Sequence, residues 1–123
     1  MASITEAVDI RRRLADASPT VYLSDLAISL NNLSVVQQSG AGDRAGALAS
    51  ITEAVDIRRR LAEANAAVYL PDLARSLNNL SNHQSESGDR AGALASITEA
   101  VDIRRRLADT SPAAHLPLSL IHI

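Results

Sequence analysis

One segment recurs along this chain almost without change, and the recurrence constrains the fold more than any other feature. ASITEAVDIRRRLA stands at residues 2–15, 49–62 and 95–108, with copies 47 and then 46 residues apart. A second block alternates with it: YLSDLAISLNNLS at 22–34 and YLPDLARSLNNLS at 69–81. We call the first the Arg block and the second the Leu–Asn block. Self-similarity of this period marks an array whose single unit cannot bury its own apolar surface and must stack on its neighbours. The one-residue difference between the periods falls between Leu33 and Gly42, against Leu80 and Gly88. It predicts a loop there, because an insertion inside a helix would turn every later side chain by about 100°.

Both blocks read as helices. Leu70, Leu73, Leu77 and Leu80 follow a 3,4,3 spacing that sets one Leu stripe on a single face, and Leu23, Leu26, Leu30 and Leu33 repeat it. In the Arg block Leu48, Ile51, Val55 and Ala62 mark a stripe that Ala47, Ala54 and Leu61 broaden. Asp43 and Asp89, each after a Gly, read as N-caps. Pro71 suits the first turn of a helix, with Asp72 near the positive end of its dipole. Asp9 with Arg13, Asp56 with Arg60 and Asp102 with Arg106 stand at i,i+4 in the favourable order. The pattern predicts helices near 3–16, 22–39, 43–63, 71–87 and 89–109. The fold class that follows is all-α, an α-solenoid of antiparallel helix pairs.

Composition narrows the function classes. Hydrophobic residues make up 46% of the chain but aromatics only 2%, so the core is aliphatic and alanine-rich, as closely packed helices allow. Every cation is Arg, and the net charge is −2, which disfavours non-specific binding to nucleic acid or to a membrane surface. With no Cys there is no disulfide, thiolate metal site or cysteine nucleophile. No apolar run approaches the roughly 20 residues of a membrane span. The start of the chain does not read as a signal peptide, so a cytoplasmic location is the default expectation.

The run from Pro71 to Ser81 (PDLARSLNNLS), then Gly88, Ala93, Ile97 and Ala100, resembles a tetratricopeptide repeat in the longer-spaced form of kinesin light chains and of large actinobacterial arrays. The resemblance covers nearly all of residues 2–117. It implies a right-handed superhelix of about two and a half repeats. In it Leu77 and Leu80 are first-helix core positions and Ser81 is the small position where two helices touch. Gly88 turns the chain, and Ala93 and Ala100 are small second-helix positions flanking the large Ile97. The period departs from the family's, which is about 34. Gln84 departs too, standing where a large apolar residue is usual. The corresponding division is a second helix at 2–16, repeats at 20–64 and 67–109, and the start of a further repeat at 112–117.

Both ends of the chain depart from the repeat. Met1 aligns with Leu48 and Leu94, inside a helix, so the chain reads as a fragment of a longer array. Leu118 stands where the repeat calls for an Asp, as at Asp25 and Asp72. The last six residues, LSLIHI, have no counterpart in the repeat and are also the translation of CTGTCTCTTATACACATC, a transposon adapter of sequencing libraries. We expect 118–123 to be a non-native tail read through from that adapter. An array with uncapped ends is expected to be marginally stable or to self-associate.

No residue pattern points to catalysis. GAGDRA at 40–45 formally matches a dinucleotide fingerprint, but it follows a helix rather than a strand and reads as a capped turn. SITE at 50–53 and 96–99 matches a capping box but lies inside a helix; at 3–6 it can act as one. Arg11–Arg13, Arg58–Arg60 and Arg104–Arg106 read as charged helix faces offset by Asp9, Asp56 and Asp102, with Arg58 at the edge of the apolar stripe covering core with its stem. His83, His115 and His122 lack metal-ligand spacing and are expected to be solvated. Neither a metal site nor a cofactor site is expected.

The paired Asn residues, Asn31–Asn32 and Asn78–Asn79, are unusual in mid-helix. Beside the Leu stripe runs a polar ridge of Arg75, Asn78, Asn82 and Ser85 or Glu86. The resemblance places this ridge on a concave groove, where Asn31 and Asn78 would hydrogen-bond the backbone of an extended peptide and Arg75 and Asn82 would contribute specificity. In the earlier repeat Ile28 and Val35 take the last two places. The competing reading has these Asn residues bonding neighbouring helices. Three functions remain in view: a non-enzymatic protein–protein interaction module, a sensor segment of a larger signalling NTPase or caspase-like peptidase, and a spacer.

Overall fold

A computed structural model describes residues 4–17, 19–40 and 42–110. They form five α-helices and no strand: α1 (Ile4–Ala17), α2 (Pro19–Ser39), α3 (Arg44–Ala64), α4 (Ala66–Glu86) and α5 (Arg90–Thr110). The expectations for 112–117 and for the tail at 118–123, and those for Met1, His115 and His122, lie outside the described residues.

Four helices begin within three residues of their expected positions; α4 begins five residues early. Asn65 is the reason. Its N–H donates to Leu61 O at 2.9 Å and closes α3, while its side chain accepts from Val68 N at 3.4 Å and opens α4. Pro71 therefore lies in the interior of α4 rather than in its first turn. It has no N–H to give to the preceding turn, and the helix runs on without that bond.

Each helix packs on the next in chain order, α1 on α2 through to α4 on α5. In addition α2 approaches α4 directly, whereas α1 and α3, and likewise α3 and α5, have no Cα atoms within 8 Å of each other. The Leu stripes form the core as the 3,4,3 spacing predicts: Leu26, Leu30 and Leu33 of α2 and Leu73, Leu77 and Leu80 of α4 are buried. Ala27, Ala47, Ala54, Ala74 and Ala100 are fully enclosed, so small side chains sit at the closest approaches. Burying Leu30, Ile51 and Leu77 completely stabilises the fold by about 1.5–3 kcal/mol each.

Equivalent residues of the Arg blocks see different neighbours, and their exposure reports which. Val8 and Val55, each followed by a Leu–Asn helix, are 3% exposed, while Val101 of α5 is 38% exposed. Ile57 and Ile103, each preceded by a Leu–Asn helix, are buried, while Ile10 of α1 is 47% exposed. Each Arg helix thus has one face for the Leu–Asn helix before it and another for the one after it.

The one-residue difference in period falls in the connections, as expected: residues 40–43 join α2 to α3 and 87–89 join α4 to α5. Gly42 (φ 66°) and Gly88 (φ 86°) adopt the left-handed conformation that a side chain would disfavour. Despite the different lengths, the same anchor recurs. Asp43 N–H donates to Gln37 O at 2.6 Å, and Asp89 N–H donates to Gln84 O at 2.8 Å. Each Asp then caps its helix, Oδ1 accepting from Gly46 N or Gly92 N at 2.9 Å. The Gln side chain holds the same joint, its Oε1 accepting from Ser50 or Ser96 Oγ at 2.7 Å. Gln84, the polar departure from the repeat pattern, is therefore matched to a serine on the facing helix.

Gly46 and Gly92 let cap and clasp close together. A Cβ on Gly46 would lie 2.1 Å from Asp43 Oδ2 and 2.7 Å from Gln37 Nε2. Ala is ordinarily better than Gly inside a helix by about 1 kcal/mol, but here it displaces the cap (about 1 kcal/mol) and the Gln–Ser bond (about 1 kcal/mol). Gly46→Ala is expected to lower stability by about 1 kcal/mol in urea unfolding; a raised midpoint would contradict this account of the joint.

Candidate functional site

The ridge is built on α2 and α4. On α4, Arg75 and Asn82 are exposed and Asn78 between them is half-buried. On α2, Ile28 and Val35 are exposed and Asn31 is half-buried. The helical periodicity sets Arg75, Asn78 and Asn82 on one flank of α4 and Ile28, Asn31 and Val35 on the matching flank of α2. The α2 half of the ridge is apolar and its α4 half is polar and cationic. Arg75 lies 3.6 Å from Asp72, one turn back.

The two Asn residues each hold a neighbouring helix through Oδ1. Asn31 accepts from Ser76 Oγ of α4 at 3.1 Å, and Asn78 accepts from Arg104 Nη1 of α5 at 3.3 Å. The amide N–H groups of both take no partner among the described residues. Bonding to neighbouring helices and facing a ligand are therefore compatible: the oxygen fixes the amide plane and leaves its donors available.

Behind the ridge lies a polar junction of three helices. Arg58 of α3 is 4% exposed, so its whole guanidinium, not only its stem, is enclosed. Its Nη1 donates to Ser76 Oγ at 2.6 Å and to Asp72 O at 3.2 Å. Ser76 then donates to Asn31, which chains α3, α4 and α2 together. Burial pushes the Arg58 pKa down, opposed by the nearby Asp72 carboxylate. The guanidinium is still charged, because its ordinary value lies so far above neutrality.

A second polar contact joins α2 to α4. His83, expected to be solvated, is 6% exposed. Leu–Asn helices meet face to face here, so α2 covers it. Ser34 Oγ donates to Asn31 O at 2.7 Å, which leaves His83 Nε2–H as donor to Ser34 Oγ at 3.2 Å. Nδ1 is buried without a partner, as is Gln38 Oε1. Burial lowers the His83 pKa below its ordinary 6.5, and Glu86 opposes the shift.

The charge pairing differs from the i,i+4 expectation. Among the described residues the Arg helices pair across to one another: Arg12 forks onto Glu53 at 2.6 and 2.7 Å, and Arg59 forks onto Glu99. These bidentate bridges span α1–α3 and α3–α5, the helices that do not pack directly. Being partly exposed, each contributes at most about 1 kcal/mol.

Arg58, Ser76, Ser34 and His83 were not among the sequence candidates. The serines carried a signal, since hydroxyls on the flank of a Leu stripe mark close helix approach. His83 carried none: the equivalent Val36 of α2 is 48% exposed, so the enclosure of the ring follows only from the packing of α4 on α2. Among the described residues no group of three or more His, Asp or Glu could hold a metal ion, and no helix is long and apolar enough to cross a membrane. Compared with known proteins, the chain matches no family model, no curated protein and no solved structure.

The junction behaves asymmetrically under substitution. Arg58→Met removes the charge together with its need for partners and should change stability by less than about 1 kcal/mol. Ser76→Ala strips a partner from both Arg58 and Asn31 and should cost about 1–3 kcal/mol; equal costs in urea unfolding would refute the assignment. A second test is pH. The folded pKa of His83 lies below its unfolded value, so its contribution is complete above the unfolded value of about 6.5 and is lost as pH falls from there through the lower folded value. The urea midpoint should drop between pH 7.5 and pH 5, and His83→Gln should reduce that drop.

Proposed function

We propose that this chain is a slice of a tetratricopeptide-like right-handed solenoid and works as a non-enzymatic protein–protein interaction module in the cytoplasm. Its ligand is an extended peptide or partner segment lying along the α2–α4 flank. The observation that carries this reading is the ridge itself. Exposed Ile28 and Val35 continue into exposed Arg75 and Asn82, and between them two Asn residues are held by their oxygens with their amide donors unpaired among the described residues. Extended peptides are recognised by such fixed amide donors together with alternate side-chain contacts. The direct approach of α2 to α4, without a matching approach of α3 to α5, supports an inward-curving flank. The closing of each repeat on the next also supports the array reading.

Selection of random 12-residue peptides against the immobilised chain tests this. Enriched peptides should bind Arg75→Ala/Asn82→Ala about tenfold more weakly, a loss of about 1.4 kcal/mol. Arg105→Ala, exposed on α5, should bind as the parent does. Failure to enrich any sequence, or enriched peptides indifferent to the ridge substitutions, would remove the groove reading.

A further inference from the structure

Arg58, Ser76 and Asn31 form a line of hydrogen bonds whose direction is set from one end. A guanidinium carries donors and no acceptor. Arg58 Nη1 donates to Ser76 Oγ at 2.6 Å and to Asp72 O at 3.2 Å. Ser76 is completely enclosed and Arg58 nearly so, which keeps bulk water out of the line. The Ser76 hydroxyl has a single proton, and it goes to Asn31 Oδ1 at 3.1 Å. Asn31 must therefore turn its oxygen inward. Its NH2 group is left facing the flank, one turn from exposed Ile28 on one side and exposed Val35 on the other.

Without Arg58 the direction reverses. A helical serine ordinarily gives its proton to a carbonyl three or four residues back. Ser34 and Ser39 do so in α2, donating to Asn31 O and Val35 O. For Ser76 that carbonyl is Asp72 O, the atom that Arg58 occupies. Once freed, it would take the Ser76 proton, and Ser76 Oγ would accept from the Asn31 amide. The flank would then display an oxygen where it now displays donors. The members of this line are built into the repeat: Arg11, Arg58 and Arg104, Ser29 and Ser76, and Asn31 and Asn78 hold equivalent positions. In the second repeat Arg104 donates to Asn78 Oδ1 directly, at 3.3 Å, and turns that amide the same way.

We propose that Arg58 determines specificity on the α2–α4 flank: acting through Ser76, it holds the Asn31 donors outward, so the flank takes a hydrogen-bond acceptor, a backbone carbonyl of an extended aliphatic segment, between Ile28 and Val35. Arg58 is enclosed and acts as a positioning residue. The ligand half of this proposal rests on the groove reading given above; the orientation of the amide does not.

Side-chain amide exchange measured by NMR on the ¹⁵N-labelled chain tests the orientation with no ligand present. The Asn31 NH2 signals are identified by their loss in Asn31→Asp. In the parent both protons should exchange with water as fast as those of exposed Asn32. In Arg58→Met one of them should slow by about tenfold, the worth of one hydrogen bond. Peptides enriched on the parent should bind Arg58→Met about tenfold more weakly, with helicity and urea midpoint nearly unchanged. A parent in which one Asn31 proton is already protected would overturn the orientation, and that measurement needs no variant. Arg58→Met with both protons still fast would overturn the role of Arg58. An amide that turns in Arg58→Met while the peptides bind as before would overturn the specificity. Failure to enrich any peptide would remove the groove reading and the ligand half with it, while the exchange rates still decide which way Asn31 faces.

Discussion

The structure depends on one constraint: an Arg helix has two apolar faces and cannot satisfy both with a single neighbour. Val55 and Ile57 are two residues apart on α3, and both are buried because α2 and α4 stand on either side. Val101 and Ile10 hold the same positions in helices with one such neighbour among the described residues, and each is exposed. The same residues in the same kind of helix are thus core or surface according to position in the array. Stability in such a chain belongs to the interfaces as much as to the helices.

The α2–α4 interface is the polar part of this arrangement. Leucine and alanine, with one Gln–Ser clasp at each tight turn, hold the helices within a repeat, whereas Ser34, Ser76, Asn31, His83 and Arg58 add polar bonds between one repeat and the next. Apolar surfaces tolerate sliding, but directional bonds do not. A buried guanidinium that reaches Ser76 in only one register fixes α4 along α3, and the Ser76–Asn31 bond then specifies how far α4 is displaced along α2. That displacement sets the spacing between Asn31 and Asn78 on the flank where a ligand would lie. In net free energy such a group contributes little over an apolar substitute. Its value here lies in fixing geometry.

Much of the fold was legible in the sequence because the repeat supplied two readings of every position. The Leu stripes, the Asp caps, the loop position of the extra residue and the five helices all follow from period and turn chemistry. What could not be read was three-dimensional proximity between copies. Helical spacing set Arg58 at the edge of the apolar stripe and read its stem as covering core, but not the enclosure of its guanidinium beside Ser76, nor the reach of Arg59 to Glu99 at the surface. Helical spacing favoured Asp56 with Arg60, but the packing distance between α3 and α5 suits a long Arg–Glu fork instead. The early start of α4 was missed because Pro71 is a strong sign of a helix start, and Asn65 overrode it by capping. At the ridge, spacing alone placed Arg75, Asn78 and Asn82 on one flank; the engagement of the Asn oxygens needed the neighbouring helices.

Neighbour-only packing also has a consequence for motion. Every tertiary contact among the described helices links elements adjacent in the chain, apart from the α2–α4 contact and the Arg–Glu bridges. Among the described helices, opening α1 or α5 breaks one packed interface, whereas opening α2, α3 or α4 breaks two or more. The free energy of local opening therefore rises from the ends toward the middle. Amide hydrogens of α2, α3 and α4 should therefore outlast those of α1 and α5, so the chain is graded in rigidity along its length, as an array rather than as a globule.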